Sequence, residues 1–599
     1  MKKIINRPEA VANEMLRGFA LAHPEVELLP KYKTVVRKRL NPNKVCLISG
    51  GGSGHEPTHA GFVGVGMLDA AVAGDIFASP SQIQVYQAIK AVAGEKGVLL
   101  IIKNYSGDVM NFENAAHLAS EDDIIVDYVK VDDDIAVEDS LYTVGRRGVA
   151  GTIFVHKIAG AAAEQGMNLS EVKRVAEKTV ANARSIGFAL TSCTTPSKGS
   201  PTFDLEEDRM EYGVGIHGEP GVRREPLRNA AELAEGMVAA LCDELGLDGT
   251  AGAERSERVA LLVNGFGGTP LMELYLLHHD VRKELAAREI EVHRSLVGNF
   301  MTSIDMAGAS VTLLRLDDEL AGLLDAPAQT PALHITGPVP CVGYEAAWDP
   351  EQSGVGDMGI DVDGRGMPGS FSGDGMVVGG ELTLQNLIYI VDVMCASIIR
   401  NEEAFCELDS HAGDGDFGMS IAKGFRQLKR EWNSIIEQDG LDMGGFLDAC
   451  SMVIMEHCGG ASGPIWGSAF RAAGKQAKGR QSIGVSEFAE ILQAAVRGIQ
   501  AVGERSFGRG AVVGDKTLID ALVPCADAWT ACGEHSASFA EAFKAGAEAA
   551  VAGAKATENI VARMGRAGNV GERSLGYPDA GAHGLGVIFT DVSEALCFR

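Results

Sequence analysis

One tract sets what this chain can fold into. Around residues 328 to 380 it carries Pro327, Pro331, Pro338, Pro340 and Pro350, then a Gly-dense run ending at Gly379-Gly380. Proline removes backbone donors and glycine loses the most entropy on ordering, so a packed core is disfavoured there. The tract reads as a linker over 329–380 between two folded units, 1–328 and 381–599. A length of 599 residues fits that division, being too long for a single hydrophobic core.

The two flanks differ in texture. Upstream, apolar runs alternate with helical patterns, which predicts α/β architecture. Candidate strands are Lys44–Ser49, Gly97–Lys103, Asp123–Val129, Val259–Asn264 and Ser310–Arg315, several of them continuous apolar runs of the kind buried parallel strands show. Ala-rich helical stretches fall at Val149–Gln165 and Ala230–Glu244, and the polar stretch Ser197–Glu211 marks a boundary between subdomains of about 1–190 and 191–328. Downstream, Leu384, Leu387, Ile388, Val391, Met394, Cys395 and Ile398 recur at helix spacing behind Thr383, a natural N-cap. Ala-rich segments at Glu487–Val502 and Ser538–Met564 extend that pattern into an all-α domain.

The formal net charge is −28, which disfavours nucleic acid and anionic membranes as partners but not a nucleotide held by local donors and a metal. Eleven cysteines with no CxxC pair read as reduced thiols. Met1-Lys2-Lys3 is followed by no apolar stretch, and no run is long enough to cross a bilayer, so a cytoplasmic protein is expected.

Four segments carry chemistry. Gly50-Gly51-Gly52-Ser53-Gly54-His55 follows a predicted strand and lacks the Gly-Lys-Ser/Thr of a P-loop; it suits close backbone approach to a ligand, and equally a tight turn. Lys103-Asn104-Tyr105-Ser106-Gly107-Asp108 ends another strand, where open α/β sheets gather ligands. His217, in Gly215-Ile216-His217-Gly218, sits on a backbone that leaves an imidazole uncrowded as nucleophile or base. Asp409, Asp414 and Asp416 fall within eight residues among glycines and can converge on a hard cation. An EF-hand is excluded by register: position twelve is Phe425 counted from Asp414 and Ser420 counted from Asp409, so the bidentate Glu is missing. Further small-residue turns at Gly459–Pro464, Gly514–Thr517, Gly571–Ser574 and Pro578–Gly581 suit the rim of a nucleotide site.

The segments GGGSGHEP, IIKNYSGD, DDDIAVEDSLYTVGRRGVAGT, EYGVGIHGEPG, GDGDFG, GGASGP and GERSLGYPDAGA, in this order, resemble the dihydroxyacetone kinase family in its form with ketone-binding and nucleotide-binding domains fused. The resemblance implies two α/β subdomains followed by a barrel of antiparallel helices. It implies that His217 holds a ketose carbonyl as a covalent hemiaminal, with Gly51, Gly52, Ser53, Gly54, Lys103 and Asp108 around the ketose. It further implies that Asp108 takes the proton of the attacking hydroxyl, with His55 assisting. By the same likeness Asp409, Asp414 and Asp416 hold Mg²⁺, as a pair of ions, and Gly418, Met419, Ser420, Ile421, Ala461, Ser462, Arg573, Asp579, Ala580 and Gly581 contact ATP. Phe417 departs from the family's usual small polar residue or histidine. The expected activity is ATP-dependent phosphorylation of dihydroxyacetone or a tetrulose such as erythrulose, by a homodimer. A phosphoprotein donor, a non-catalytic ketose sensor and a lyase side-activity on flavin dinucleotide are the alternatives.

Overall fold

The structure is a computed structural model that describes residues 2–137, 145–247, 257–344, 375–411, 413, 415–564 and 571–599, without the side chains of 507 and 573. The chain divides into two units, Met1–Met358 and Gly359–Arg599.

In the first unit, β1 (Val26–Leu29), β2 (Thr34–Arg37), β3 (Cys46–Ser53), β4 (Ala70–Ile76), β5 (Val98–Lys103) and β6 (Val126–Val131) form a sheet in the order β1-β2-β4-β3-β5-β6. β4, β3, β5 and β6 are parallel. β3 and β5 are buried end to end, as expected of apolar runs covered on both faces. Helices α1 (Val11–Ala22), α2 (Gln82–Val92) and α3 (Ser106–Glu121) accompany this sheet.

The second sheet contains β7 (Ala183–Ala189), β8 (Arg209–Tyr212), β9 (Arg223–Pro226), β10 (Arg258–Gly265), β11 (Glu291–Gly298) and β12 (Gly308–Arg315), in the order β11-β10-β12-β7-β8-β9. Among the described residues β10–β11 is its one parallel pair, and β12 runs antiparallel to both β10 and β7. The apolar run at Ser310–Arg315 therefore marks burial on both faces, not strand direction. β7 already belongs to this sheet, so the division between the layers falls before Ala183 rather than at 190, and Ser197–Glu211 lies inside the second layer.

Helix α4 (Thr152–Glu164) is buried from Thr152 to Ala163 and α5 (Leu169–Asn182) packs beside it. Ile153, Phe154 and Ile158 of α4 share one core with Leu47 and Ile101 of the first sheet and Leu262 and Leu314 of the second. The small alanines of α4 let both sheets close upon it. Helices α6 (Ala230–Leu245) and α7 (Leu271–Ala287) cover the opposite face of the second sheet, and α8 (Asp318–Asp325) follows. The start of the Pro/Gly tract is not linker: β13 (Ala328–Gln329) pairs with β14 (His334–Ile335), burying Leu333 and Ile335 in the shared core.

The second unit is helical: α9 (Leu384–Arg400), α10 (Glu402–Ser410), α11 (Phe417–Arg430), α12 (Trp432–Ile436), α13 (Met443–His457), α14 (Ser462–Gln476), α15 (Val485–Phe507), α16 (Ile519–Glu534), α17 (Phe539–Ala556) and α18 (Ala580–Ala595). Among the described residues, α9, α11 and α13 to α18 pack as neighbours in a closed ring, α18 returning to α9. Thr383 Oγ1 caps α9 by accepting from the Asn386 N–H, and Leu387, Ile388, Val391, Cys395 and Ile398 face the core. The helix expected over Ser538–Met564 stops at Ala556, where the chain turns. No helix among the described residues is long and apolar enough to cross a membrane.

Candidate active sites

In the first unit, the carboxyl ends of β3 and β5 bring GGGSGHEP and KNYSGD together, and the His217 turn meets them. His55 Nδ1 lies 2.8 Å from the Thr302 carbonyl, which can only accept, so Nδ1 carries the proton. Its bare Nε2 then accepts from His217 Nε2–H at 3.2 Å. Burial and the charge of Lys103 bring the His55 pKa down to about 3. Burial, with His55, Lys103 and Arg147, holds His217 well below the usual histidine value. Both imidazoles are neutral at pH 7, the form in which one nitrogen can attack a carbonyl.

Lys103 is fully buried, its ammonium 3.3 Å from Gly50 O, 3.2 Å from His59 Nε2 and 3.4 Å from Asp108 Oδ2. Asp108 is 2 % exposed, and its Oδ1 has no hydrogen-bond partner. A buried carboxylate oxygen without a donor is costly, and a ligand hydroxyl would supply one. Ser53 Oγ donates to Gly74 O, and the Gly54 N–H donates to the Glu56 carboxylate. The glycine loop thus holds its own geometry, and beside it Asp108 Oδ1 is left without a donor.

Two residues absent from the expected site hold His217 in place. Glu219 Oε2 accepts the His217 N–H at 2.8 Å, and Oε1 pairs with Arg147 at 3.2 Å. Arg147, 3 % exposed, also bonds Asp134 at 2.7 Å and Gly213 O at 2.9 Å. The Glu219 carboxylate fills the space that a Cβ at Gly215 would take, so a side chain there would push it off its present position. Both residues lie inside motifs singled out from sequence, GRRGVAG and GIHGEPG, but spacing alone gave them no role.

In the second unit, a cavity of about 200 Å³ is lined by Asp409, Gly413, Asp416, Phe417, Ser420, Gly459, Ala461, Ser462, Lys516, Thr517, Asp579, Ala580 and Gly581, among others. Asp409 and Asp416 therefore share one cavity; Asp414 lies outside the described residues. The Asp409 carboxylate accepts the Gly415 N–H at 2.9 Å, folding the loop back on α10. Two carboxylates on a glycine-rich turn suit a hard, oxygen-ligated cation. The N-termini of α14 and α18 open on the cavity, a setting that favours phosphate oxygens. Of the expected nucleotide contacts, Ser420, Ala461, Ser462, Asp579, Ala580 and Gly581 line it. Ile421 is instead buried in the helical core and Met419 is exposed; Gly418 packs at the start of α11. The side chain of Arg573 is outside the described set. Burial pushes the Asp579 carboxyl up to about 7.

Lys516 lies in the Gly514–Thr517 turn, to which the sequence gave no individual side-chain role. It is 1 % exposed and donates to Thr557 O, Ser574 O and Tyr577 O at 2.8, 2.6 and 2.7 Å. Its ammonium thereby ties the GERSLGYPDAG turn to the end of α17. Phe417 lines the cavity and packs on Phe405 with ring centroids 6.0 Å apart.

Residues 17–332 match the Dak1 domain model and residues 411–594 the DAK2 domain model. The chain belongs to the dihydroxyacetone kinase family. Among its relatives in that family, the dihydroxyacetone-binding subunit of the PTS-dependent dihydroxyacetone kinase of Lactococcus lactis is 52% identical, over 53% of this chain and 94% of that protein. The D-erythrulose kinase of Mycolicibacterium smegmatis is 34% identical over 100% of this chain and 99% of that one. The crystal structure of the dihydroxyacetone kinase of C. freundii in complex with AMP-PNP and Mg²⁺ is similar at TM-score 0.56 and 30% identity, covering 99% of both chains.

Proposed function

We propose that this protein transfers the γ-phosphoryl group of ATP to a primary hydroxyl of a small ketose captured on His217. The observation that carries the reading is the 3.2 Å contact between two neutral imidazoles, His55 and His217, beside a carboxylate oxygen with no donor. As His217 Nε2 attacks the carbonyl carbon, the C–N bond forms and the C=O π pair moves to oxygen. The Nε2 proton passes to His55 Nε2, which returns it to the new alkoxide, giving a neutral hemiaminal. A polyol has no carbonyl and cannot be held this way. Asp108 accepts the proton of the hydroxyl that attacks phosphorus.

Asp409, Asp414 and Asp416 would hold the metal, as a pair of Mg²⁺ ions. When bound, Mg²⁺ neutralises the triphosphate and the charge that develops on transfer. The N-termini of α14 and α18 hold phosphate oxygens, and Ser420 and Ser462 add hydroxyl donors. The complex of a full-length relative with AMP-PNP and Mg²⁺ supports this half of the reading. Fusion of both halves in one chain favours free ATP over a phosphoprotein donor. We also place the protein in the cytoplasm as a homodimer with its eleven cysteines unpaired, in keeping with the free cysteines of the structure.

A four-carbon ketose fits the same chemistry, because it offers His217 the same carbonyl, and the erythrulose kinase relative supports it. The test is a panel of dihydroxyacetone, erythrulose, aldoses and glycerol with MgATP and the purified chain. Turnover of ketoses but not glycerol is expected, with the preference abolished in His217→Ala. No turnover without an added phosphoprotein would overturn the ATP reading.

A further inference from the structure

Against the Gly50–His55 loop stand two bulky side chains on backbone that such residues seldom adopt. Phe77 and Ile304 both have φ of 56°, in the left-handed region that disfavours large and above all β-branched residues. Each is held there by a bond to the glycine loop. The Phe77 N–H donates to Ser53 O and the Ile304 N–H to Gly54 O, both at 2.9 Å. Their side chains then converge over Gly54. A Cβ at Gly54 would lie 2.8 Å from Phe77 Cε1 and 3.2 Å from Ile304 Cγ1, so the missing side chain of Gly54 is the space these two occupy.

The Phe77 ring also touches both imidazoles, stacked on His55 at 5.2 Å between centroids and edge-on to His217 at 5.4 Å. His55, Lys103 and Asp108 are buried, whereas His217, Phe77 and Ile304 all keep partial exposure. Phe77, with Ile304 packed next to it over Gly54, therefore borders the partly exposed ring of His217. Such conformations persist where the surrounding structure enforces them, and they gather at ligand clamps.

We infer that Phe77 and Ile304 are the specificity-determining wall of the ketose site, limiting the length of the carbon chain that can extend from the captured carbonyl. The inference rests on the ketose-kinase reading and adds to it the residues that choose among ketoses. No polar group is contributed by either side chain, so selection works by volume. One methylene in an apolar pocket changes selectivity roughly 10- to 200-fold.

The experiment uses the full chain with Phe77→Leu, Phe77→Gly, Ile304→Val and Ile304→Gly. Glycine relieves the left-handed backbone while removing the wall, so the glycine variants keep the turn geometry. kcat/KM is measured with MgATP for three-, four- and five-carbon ketoses. In parallel, native mass spectrometry of an equimolar ketose mixture reads which adduct forms, independently of phosphoryl transfer. The expected result is a ratio of longer to three-carbon ketose at least 10-fold above wild type in the glycine variants, smaller in Phe77→Leu and Ile304→Val, with KM for ATP unchanged. Ratios within two-fold of wild type, in turnover or in adduct competition, overturn the inference. If the wild-type chain phosphorylates no ketose, it is the kinase reading that fails, and the adduct ratios still decide the role of the wall.

Discussion

Replacing Glu219 by Gln tests whether His217 is set by its neighbours or by its own turn. The substitution keeps the volume that fills the space at Gly215 but removes the negative charge. The hydrogen bond from the His217 N–H then falls from a charge-assisted one to a neutral one, a loss of about 1 kcal/mol. Arg147 keeps Asp134 at 2.7 Å, and its bond to Glu219 at 3.2 Å becomes one to a neutral amide oxygen, which costs roughly another 1 kcal/mol. If both losses are expressed when His217 must face the carbonyl, about 2 kcal/mol corresponds to roughly a 30-fold fall in kcat/KM for the ketose. The assay is steady-state kinetics with ketose varied at saturating ATP, then ATP varied at saturating ketose. The KM for ATP should not move, since Glu219 belongs to the ketose-binding unit. A fall of less than three-fold, or an equal rise in the KM for ATP, refutes the idea that the Asp134–Arg147–Glu219 chain positions the nucleophile.

Other perturbations separate the two halves. Lys516→Met removes three donors from buried carbonyls and loosens the turn before α18; KM for ATP should rise at least 10-fold while ketose adducts seen by mass spectrometry persist. Asp409→Asn or Asp416→Asn should cut turnover about 100-fold or more with the adduct intact, and a normal rate in either would remove it from the metal set. Opening the cavity with Phe417→Ser should alter the KM for ATP without changing ketose preference. Acid should destabilise the first unit, because His55 and His156, both lowered to about 3, are neutral in the fold but protonated in the unfolded chain below about 6.5. Their stabilising contribution is present above pH 6.5 and is lost as pH falls towards 3. His156 is fully buried with neither ring nitrogen partnered. His156→Leu should therefore flatten the stability slope by about 1.4 kcal/mol per pH unit in that window, read by urea unfolding at several pH values; an unchanged slope would count against its burial as a neutral ring.

Much of the fold was legible because it is carried by one-dimensional patterns. The apolar runs of β3 and β5 announce strands covered on both faces, and the spacing from Leu384 to Ile398 announces α9 with its Thr383 cap. Strand direction was not legible. β12 is buried along nearly its whole length as β5 is, yet it pairs antiparallel with both neighbours, because burial shapes composition while connectivity sets direction. The linker's start was misjudged for a related reason: the Pro-rich segment after Ala328 still supplies Leu333 and Ile335 to the core, and two apolar side chains are too few for a pattern to register.

The site divides along the same line. Gly54, His55, Asp108, His217, Asp409 and Asp416 stand in short motifs whose composition already implies ligand chemistry, and the structure assembles them within their own units. Glu219, Arg147 and Lys516 stand in segments the sequence singles out, but spacing gives none of the three a role of its own. What gives them meaning is burial together with partners distant in sequence: Arg147 with Gly213 and Glu219, Lys516 with Thr557, Ser574 and Tyr577. A charge taken out of water persists only where each of its donors or acceptors is met, so every buried ion marks a place where the fold has fixed geometry at considerable cost. The Asp134–Arg147–Glu219 chain lies directly behind His217, and Lys516 behind the turn leading into Asp579, at the two proposed substrate sites. The first test of this is whether Glu219→Gln and Lys516→Met each disturb one substrate and leave the other alone.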